Sequence, residues 1–201
     1  TMSYVLGDYT INTPADTFLE TSSNSIRNDL ARLRGARIVT AAEPRSGRFD
    51  AAILKGFTGE DRITARFLHK EYFEYEPQGL LLFSANHRPD VKDNSPGFWR
   101  RLLLIPFLRQ FDKEGLKDDT LKDTLRSEAP GILNWLVRGC MEWQRLGLNP
   151  PSQVKEAVND YRIDTDVLAD FLDSCCIFAP GAQIARQALF ETYLAYREDR
   201  S

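Results

Sequence analysis

The sequence predicts an α/β fold whose sheet carries polar side chains along one edge. Three apolar stretches have the composition of strands, 36–42, 80–85 and 102–107, and a charged or amide side chain lies at or beside one end of each. From residue 115 onward the apolar residues recur at helical spacing. Because open α/β sheets bind ligands at the carboxyl ends of their strands, we expect a functional site along that edge.

Composition restricts the classes of protein that fit the chain. Of its 201 residues, 42% are hydrophobic and 27% charged, which is enough for a folded core. No apolar run approaches about 18 residues and the first residues show no secretion-signal pattern, so we expect no membrane partner. The three cysteines include an adjacent pair and no C-x-x-C spacing, which predicts a reduced, metal-free protein in the cytoplasm.

Charge is distributed unevenly between the two halves of the chain. The net charge of −3 argues against an indiscriminate nucleic-acid binder. Residues 1–110 contain 15 Lys and Arg against 13 Asp and Glu, whereas residues 111–201 contain 11 against 16. A site for a polyanion is therefore expected in the first half.

The first half is predicted to alternate helix and strand. Residues 1–23 predict no regular element. A short helix follows, with N-cap residue types at 22–24 and apolar residues at 26, 30 and 33, and Gly35 ends it before the strand 36–42. The next expected elements are a basic loop, a helix, a turn, a hairpin and a strand, at 44–48, 50–57, 58–61, 62–75 and 80–85. After a polar loop, the strand 102–107 closes the sheet.

The second half is predicted to be helical. Helices are expected at 116–126, 130–146, 152–161, 164–176 and 183–197. The proline pair in 149–152 is the best candidate for a boundary. We therefore predict a sheet core over 1–110, a helical part of that core over 111–150, and a small helical appendage over 151–201, for which a winged-helix-like fold is one alternative.

Four side chains in the sheet region are candidates for nucleotide chemistry. Glu43 ends a strand, where a nucleotide hydrolase keeps its water-activating or Mg²⁺-associated carboxylate. Asn86 ends the neighbouring strand and could hold a water or a γ-phosphate, while Arg100 and Arg101 could reach a phosphate on another subunit. The alternatives are a surface acid, an ordinary turn residue and a solvated arginine pair.

The hairpin is a candidate for contact with DNA. Cations are interleaved there with the aromatic residues Phe67, Tyr72 and Phe73. The candidate cations in the hairpin are Arg62, Arg66, His69 and Lys70, and Lys55 on the preceding helix is a further candidate. The alternative is a half-buried ribbon with a wet cationic face. Metal-ligand spacings such as H-E-x-x-H are absent from the sequence, as is the phosphate-binding pattern G-x-x-x-x-G-K-[S/T].

The order of these motifs resembles superfamily 3 helicases, and in particular the C-terminal helicase region of phage and plasmid primases of the satellite-phage type, which are related to poxvirus primase–helicases. The resemblance is strong over about residues 5–110 and loose over 111–201. The residues that carry it are Leu6-Gly7-Asp8-Tyr9, Leu33-Arg34-Gly35-Ala36-Arg37, Glu43, Lys55-Gly56-Phe57-Thr58-Gly59-Glu60-Asp61-Arg62-Ile63-Thr64-Ala65-Arg66, Ser84-Ala85-Asn86-His87-Arg88-Pro89, and Gly97-Phe98-Trp99-Arg100-Arg101 through Ile105-Pro106-Phe107.

The resemblance implies an AAA+-like, P-loop NTPase-type sheet core with a β-hairpin insertion, which assembles into a ring, usually a hexamer, and uses ATP and Mg²⁺ to move along DNA. Glu43 matches the Walker B acid, to which Mg²⁺ would be linked indirectly, and Asn86 matches the sensor asparagine. Arg100 or Arg101 matches the finger that acts in trans. The segment around His69 and Lys70 matches the hairpin that faces DNA.

Two departures from the family pattern change what is expected of this chain. Ala42 stands where many members of the family have a second acid. The phosphate-binding loop is expected just upstream of residue 6, and the chain begins after it. We therefore expect either an excised piece of a larger primase–helicase or a truncated prophage remnant, found in the cytoplasm of a bacterial host, that hydrolyses ATP poorly alone.

Two other classes of function remain open. A non-catalytic remnant would bind DNA or a replication protein through the hairpin and the helical tail. A regulator would read DNA through a winged-helix-like segment at 152–197, although the acidic balance of that half disfavours it.

Overall fold

A computed structural model describes residues 1–21, 27–42, 47–59, 61–111, 113 and 115–198. The chain forms two compact units, Thr1–Val158 and Asn159–Ser201. In chain order the helices and strands are α1 (Met2–Leu6), β1 (Thr10–Pro14), α2 (Asn28–Arg32), β2 (Ile38–Ala42), α3 (Ala51–Thr58), β3 (Ile63–Ala65), β4 (Phe73–Tyr75), β5 (Leu80–Ser84), α4 (Pro96–Trp99), α5 (Leu121–Ser127), α6 (Ala129–Leu146), α7 (Ser152–Thr165), α8 (Val167–Cys175) and α9 (Arg186–Glu198). The predicted mixed α/β class is confirmed.

A parallel sheet with strand order β1-β2-β5 lies in the first unit. Pro14 is paired with Ala42, and Ala42 with Ser84, so the carboxyl ends of the three strands are level. The strands predicted at 36–42 and 80–85 are thereby confirmed. Their level ends form one edge of the sheet, the edge at which open α/β sheets bind ligands.

The strand β1 was not predicted from the sequence. Thr10–Pro14 contains one large apolar residue, Ile11, and ends in a proline, which is a poor strand signature. Its backbone nevertheless pairs with β2 over the whole length of the strand, from Thr10 opposite Ile38 onward. Proline is tolerated here because β1 lies at the edge of the described sheet.

The strand predicted at 102–107 is wrong. All six residues are described, and none belongs to a helix or strand. Their apolar composition is suited to a buried strand, but a strand also needs a neighbour for its backbone groups, and the described sheet provides none here. Phe107 is consequently 90% exposed, and Leu103 and Ile105 are exposed as well.

The core of the first unit lies where α2, α3 and the hairpin meet the sheet. Phe18 is fully buried and contacts Phe57 of α3 edge to face, with 5.5 Å between ring centroids. The helix α3 matches the helix predicted at 50–57. Asp50 caps its N-terminus, because its Oδ1 accepts the amide hydrogens of Ala52 and Ile53 at 3.0 and 3.1 Å.

The predicted hairpin at 62–75 is confirmed. Strands β3 and β4 pair antiparallel, with Ile63 opposite Tyr75. The buried Tyr75 hydroxyl donates a hydrogen bond of 2.7 Å to the backbone carbonyl of Leu30 in α2. This bond fixes the base of the hairpin to the core.

Two predicted helices begin or end elsewhere than expected. The helix α2 is short, its predicted caps at 22–24 lie outside the described residues, and Gly35 follows it with φ of 79°, as a helix-ending glycine should. The helix predicted at 116–126 begins only at Leu121. Asp118 accepts hydrogen bonds from the amide and hydroxyl of Thr120 at 2.8 and 2.7 Å, and this local turn competes with a helix before residue 121.

The remaining helices agree with the sequence pattern within a few residues. The long helix α6 matches the prediction at 130–146, but none of its residues is buried, and Trp135 and Trp143 are exposed. In the second unit, the buried ring of Phe171 in α8 contacts the rings of Tyr193 and Tyr196 in α9 edge to face, with 5.3 and 5.4 Å between ring centroids. The predicted division at 110 and 150 stays a prediction. Among the described residues, no helix has the length and apolar character of a membrane span.

Candidate functional site

The level carboxyl edge of the parallel sheet is the centre of the candidate site. Asn86 follows the end of β5 by two positions and is exposed to solvent. Glu43 follows the last described residue of β2 in the sequence and lies outside the described residues. The strand register therefore puts Asn86 just beyond this edge, and the roles of Glu43 and Asn86 both stay predictions.

An aromatic cluster links this edge to α4. The ring of Phe49 lies 5.1 Å from that of Phe83, the penultimate residue of β5, and 6.4 Å from that of Phe98 in α4. The backbone contributes as well, because the amide of Phe49 donates to the carbonyl of Asp90 at 2.9 Å and the amide of Asp90 donates to the carbonyl of Gly47 at 3.1 Å. These contacts hold α4, and the arginines after it, on the side of the sheet where β5 ends.

The two arginines after α4 differ in their environments. Arg100 is exposed, whereas Arg101 is partly buried and donates through Nη1 to the carbonyl of Gly97 at 2.6 Å. The Nε of Arg101 is buried and has no hydrogen-bond partner among the described residues. A Cβ at Gly59 would lie 2.9 Å from Nη2 of Arg101, so the guanidinium packs closely against that glycine. Arg100 is thus the arginine of the pair that faces solvent.

Lys55, a candidate for DNA contact, has its charge paired within the protein. Its Nζ bonds Asp93 Oδ2, and it also donates to Ser95 Oγ at 2.9 Å. Asp93 Oδ1 accepts the amide hydrogen of Ser95 at 2.8 Å. These hydrogen bonds, those from Lys55 first, lower the pKa of Asp93 to about 2. The contact ties the last turn of α3 to the loop before α4.

The hairpin cations fall into two groups. Arg62 lies 3.8 Å from a carboxylate oxygen of Glu74 and 3.3 Å from one of Glu76, so its charge is paired on the strand face. The guanidinium of Arg66 stacks on the ring of Tyr72 at 4.6 Å. Both side chains therefore make contacts within the hairpin. This agrees with the alternative interpretation of the hairpin as a half-buried ribbon with a cationic face.

The tip of the hairpin presents the other group. His69 and Lys70 are exposed, beside exposed Phe67 and Leu68. His69 has a φ of 60°, a left-handed conformation that is unusual outside glycine, and Lys70 donates its amide hydrogen to Phe67 at 3.0 Å to close the turn. The tip combines cationic and apolar side chains at one exposed turn, which suits contact with a nucleic-acid backbone and its bases.

The described residues do not assemble a metal centre. No group of three or more His, Cys, Asp or Glu that could hold a metal occurs in the part of the chain that the structure describes. The proposed indirect link between Glu43 and Mg²⁺ concerns a residue outside that part. The described cysteines Cys140, Cys175 and Cys176 are free thiols.

No role was predicted from the sequence for Asp93 or Ser95, and Gly59 was named only as part of a turn and a motif. Ser95 before Pro96 is a recognisable helix start, since serine suits the N-cap and proline the first turn. The pairing of Asp93 with Lys55 spans 38 positions and leaves no local signal.

Comparison with known proteins gives two viral relatives. The chain is 33% identical over 192 residues to a protein of Acanthamoeba polyphaga mimivirus named "Putative helicase L207/L206", with 85% of the chain covered. It is 27% identical over 197 residues to "Putative helicase 022R" of Frog virus 3 (isolate Goorha), with 88% covered. The chain spans about 20% of the length of each of these relatives. No family model matches it.

Proposed function

We propose that the chain is part of an ATP-driven DNA helicase. In the ATPase site it would supply the residues that position the attacking water and stabilise the transferred phosphate. The observation that carries this proposal is the similarity of most of the chain to two viral proteins named as helicases. The parallel sheet, with Asn86 just beyond the carboxyl end of β5, supports it. The finer assignment is to the superfamily 3, phage and plasmid primase type with an AAA+-like core.

In this proposal each candidate residue has a distinct role in phosphate transfer. Glu43 orients or deprotonates the attacking water, and Asn86 positions that water by hydrogen bonding. Arg100 or Arg101 stabilises negative charge on the transferred group from a neighbouring subunit of a ring, which we take to be a hexamer. Bound Mg²⁺ would neutralise phosphate charge. The described residues form no group to hold it, so we assign no step to the metal.

The nucleotide cradle is assigned to a different part of the protein. The pattern G-x-x-x-x-G-K-[S/T] does not occur in the 201 residues. A backbone loop of that kind supplies most of the nucleotide affinity in P-loop enzymes. We therefore expect the 201 residues by themselves to bind ATP weakly and to hydrolyse it poorly.

The proposed DNA contact is the tip of the hairpin. His69 and Lys70 are exposed there, whereas the charges of Lys55 and Arg62 are paired with acids of the protein. Exposed Phe67 and Leu68 offer apolar surface to unstacked bases. We expect single-stranded DNA, or the single strand at a fork, as the partner.

The ATPase proposal is tested in a longer protein that carries this chain. Glu43→Gln keeps the shape of the side chain and removes the base, so ATP hydrolysis should be lost while ATP binding is retained. Glu156→Gln, at an exposed position on α7, is the matched control and should keep full turnover. Turnover in the Glu43→Gln variant equal to that of the control would contradict the assignment.

The DNA proposal is tested on the chain itself with a fluorescent single strand. Each phosphate contact contributes about 0.7 to the slope of log affinity against log salt for a single strand, so Lys70→Ala should lower that slope by roughly this amount. Lys92→Ala removes an exposed lysine outside the hairpin and should leave the slope unchanged. Equal slopes for the two variants would exclude Lys70 as a DNA contact.

A non-catalytic binding protein is the second candidate. It is favoured by α6, where Trp135 is 71% exposed and no residue is buried, because large exposed apolar side chains mark contact surfaces. Failure of a longer protein that carries this chain to bind or hydrolyse ATP would select this candidate over the helicase.

A further inference from the structure

The loop before α4 is held by two coupled interactions at Asp93. One carboxylate oxygen binds the ammonium group of Lys55 on α3, and the other accepts the amide hydrogen of Ser95 at 2.8 Å. Lys55 also donates to the hydroxyl of Ser95 at 2.9 Å. The side chains of Lys55 and Asp93 are 33% and 24% exposed, so the pair is better shielded than an ordinary surface ion pair.

These contacts determine where α4 begins. Ser95 is the N-cap residue, and its carbonyl accepts the amide hydrogens of Phe98 and Trp99 at 3.0 and 3.3 Å. The amide of Arg100 then donates to Pro96 at 3.1 Å. A helix of four residues has little stability of its own, so its direction depends on the burial of Phe98 and Trp99 and on the contacts that fix its two ends.

Arg101 fixes the other end of the same short helix. Its Nη1 donates back to the carbonyl of Gly97 at 2.6 Å, and its guanidinium lies against Gly59, just beyond α3. Arg100 is exposed and is the residue that directly follows α4, so the direction of this helix sets the point from which its side chain extends. Both ends of α4 are therefore tied to the C-terminal part of α3.

We propose that Lys55 and Asp93 are positioning residues that set the direction of Arg100, and that Arg100 rather than Arg101 is the arginine that reaches the transferred phosphate. The inference rests on the proposed ATPase function and assigns Lys55 a role inside the site instead of contact with DNA. The lowered pKa of Asp93, about 2, is consistent with a carboxylate that stays charged and bonded at neutral pH.

The first test measures the structure of α4 in the chain itself by amide hydrogen exchange. Lys55→Met removes the ammonium group and keeps most of the side-chain stem, so the amides of Phe98, Trp99 and Arg100 should exchange about 10-fold faster. Lys55→Arg keeps the charge and should retain protection. Lys92→Met, at an exposed position, is the matched control and should change nothing.

A second variant removes the partner charge without changing its shape. Asp93→Asn can still accept the amide hydrogen of Ser95, so it should fold and yet lose the ion pair. It should accelerate exchange of the same three amides. Protection of these amides in both Lys55→Met and Asp93→Asn at the wild-type level would overturn the positioning role.

The second test measures ATP hydrolysis and DNA binding in a longer protein that carries the chain. Lys55→Met should lower kcat by roughly 10- to 100-fold with little change in KM for ATP, because a misdirected arginine weakens the transition state more than the ground state. Arg100→Ala should lower kcat at least as much, and the double variant no further. Arg101→Ala should affect unfolding more than Arg100→Ala does.

The outcomes separate this inference from the proposed function. If the wild type hydrolyses ATP and Lys55→Met lowers the salt slope of DNA binding while leaving kcat unchanged, Lys55 is a DNA contact and the inference is overturned. If Arg101→Ala alone lowers kcat, the choice of Arg100 is overturned. If the wild type hydrolyses no ATP, the proposed function fails, and the exchange experiment still decides whether the ion pair orients α4.

Discussion

Replacing Tyr75 by phenylalanine removes the bond that fixes the hairpin to the core. The hydroxyl donates to the carbonyl of Leu30 at 2.7 Å, and the Tyr75 side chain is 7% exposed. The Leu30 carbonyl also accepts the amide hydrogen of Leu33 at 3.1 Å, so one acceptor site keeps a partner after the substitution. The expected loss of stability is therefore about 1 kcal/mol, at the lower end of the cost of a buried unpaired carbonyl.

The same bond makes stability depend on alkaline pH. Burial first, and then the negative charge of Asp29, raise the pKa of Tyr75 to about 12. An ordinary tyrosine in the unfolded chain has a pKa of about 10. The folded state therefore holds the proton more tightly, and the stability that this provides is complete below pH ~10 and is lost as the pH rises through ~12.

Urea unfolding at neutral and alkaline pH measures both effects. At pH ~7, the free energy of unfolding of Tyr75→Phe should be about 1 kcal/mol lower than that of the wild type. In thermal unfolding the same loss corresponds to a Tm roughly 2–4 °C lower. Between pH ~10 and ~12 the difference should shrink, because only the wild type can lose the Tyr75 proton on unfolding.

Tyr72→Phe is the matched control on the same hairpin. Its ring is 63% exposed, and the stacking of Arg66 on that ring does not need the hydroxyl. It should stay within about 0.5 kcal/mol of the wild type. Equal unfolding free energies for the two variants at pH ~7 would refute the anchoring role of the Tyr75 hydroxyl.

Three further substitutions test the core, the glycine beside Arg101 and the turn of the hairpin. Phe18→Ala should lower the free energy of urea unfolding by about 3–5 kcal/mol, since Phe18 is 0% exposed. Phe107→Ala, at a 90% exposed position, should lower it by under about 0.5 kcal/mol. Similar losses for the two variants would contradict the core assignment. Gly59→Ala should destabilise by about 1–3 kcal/mol, because the new Cβ would lie 2.5 Å from the backbone oxygen of Lys55, and a neutral result would mean that this contact yields. His69→Gly should raise the free energy of unfolding by up to about 1 kcal/mol, because glycine accepts a φ of 60° without strain. A lower free energy of unfolding would show that the His69 side chain stabilises the turn.

Local patterns in the sequence were sufficient for much of the fold. The apolar runs that became β2 and β5, the alternation in the hairpin and the helical spacing of α6 each indicate their own structure, because side chains that share one face recur with the period of the element. The position of Asn86 beyond β5 also follows from the sequence, since it depends only on where that strand ends.

Tertiary structure decided what depends on a distant partner. The polar segment Thr10–Pro14 is a strand because β2 pairs with it, and the apolar segment 102–107 is not, because no described strand lies beside it. Lys55 is bonded to an acid 38 positions away, and Arg101 lies against Gly59 while its neighbour Arg100 faces solvent. Residue type and local spacing determine which groups can bind phosphate or DNA. Only the folded arrangement decides which of those charges are already neutralised by the protein, because ion pairs and strand pairing form between groups that the chain brings together from far apart.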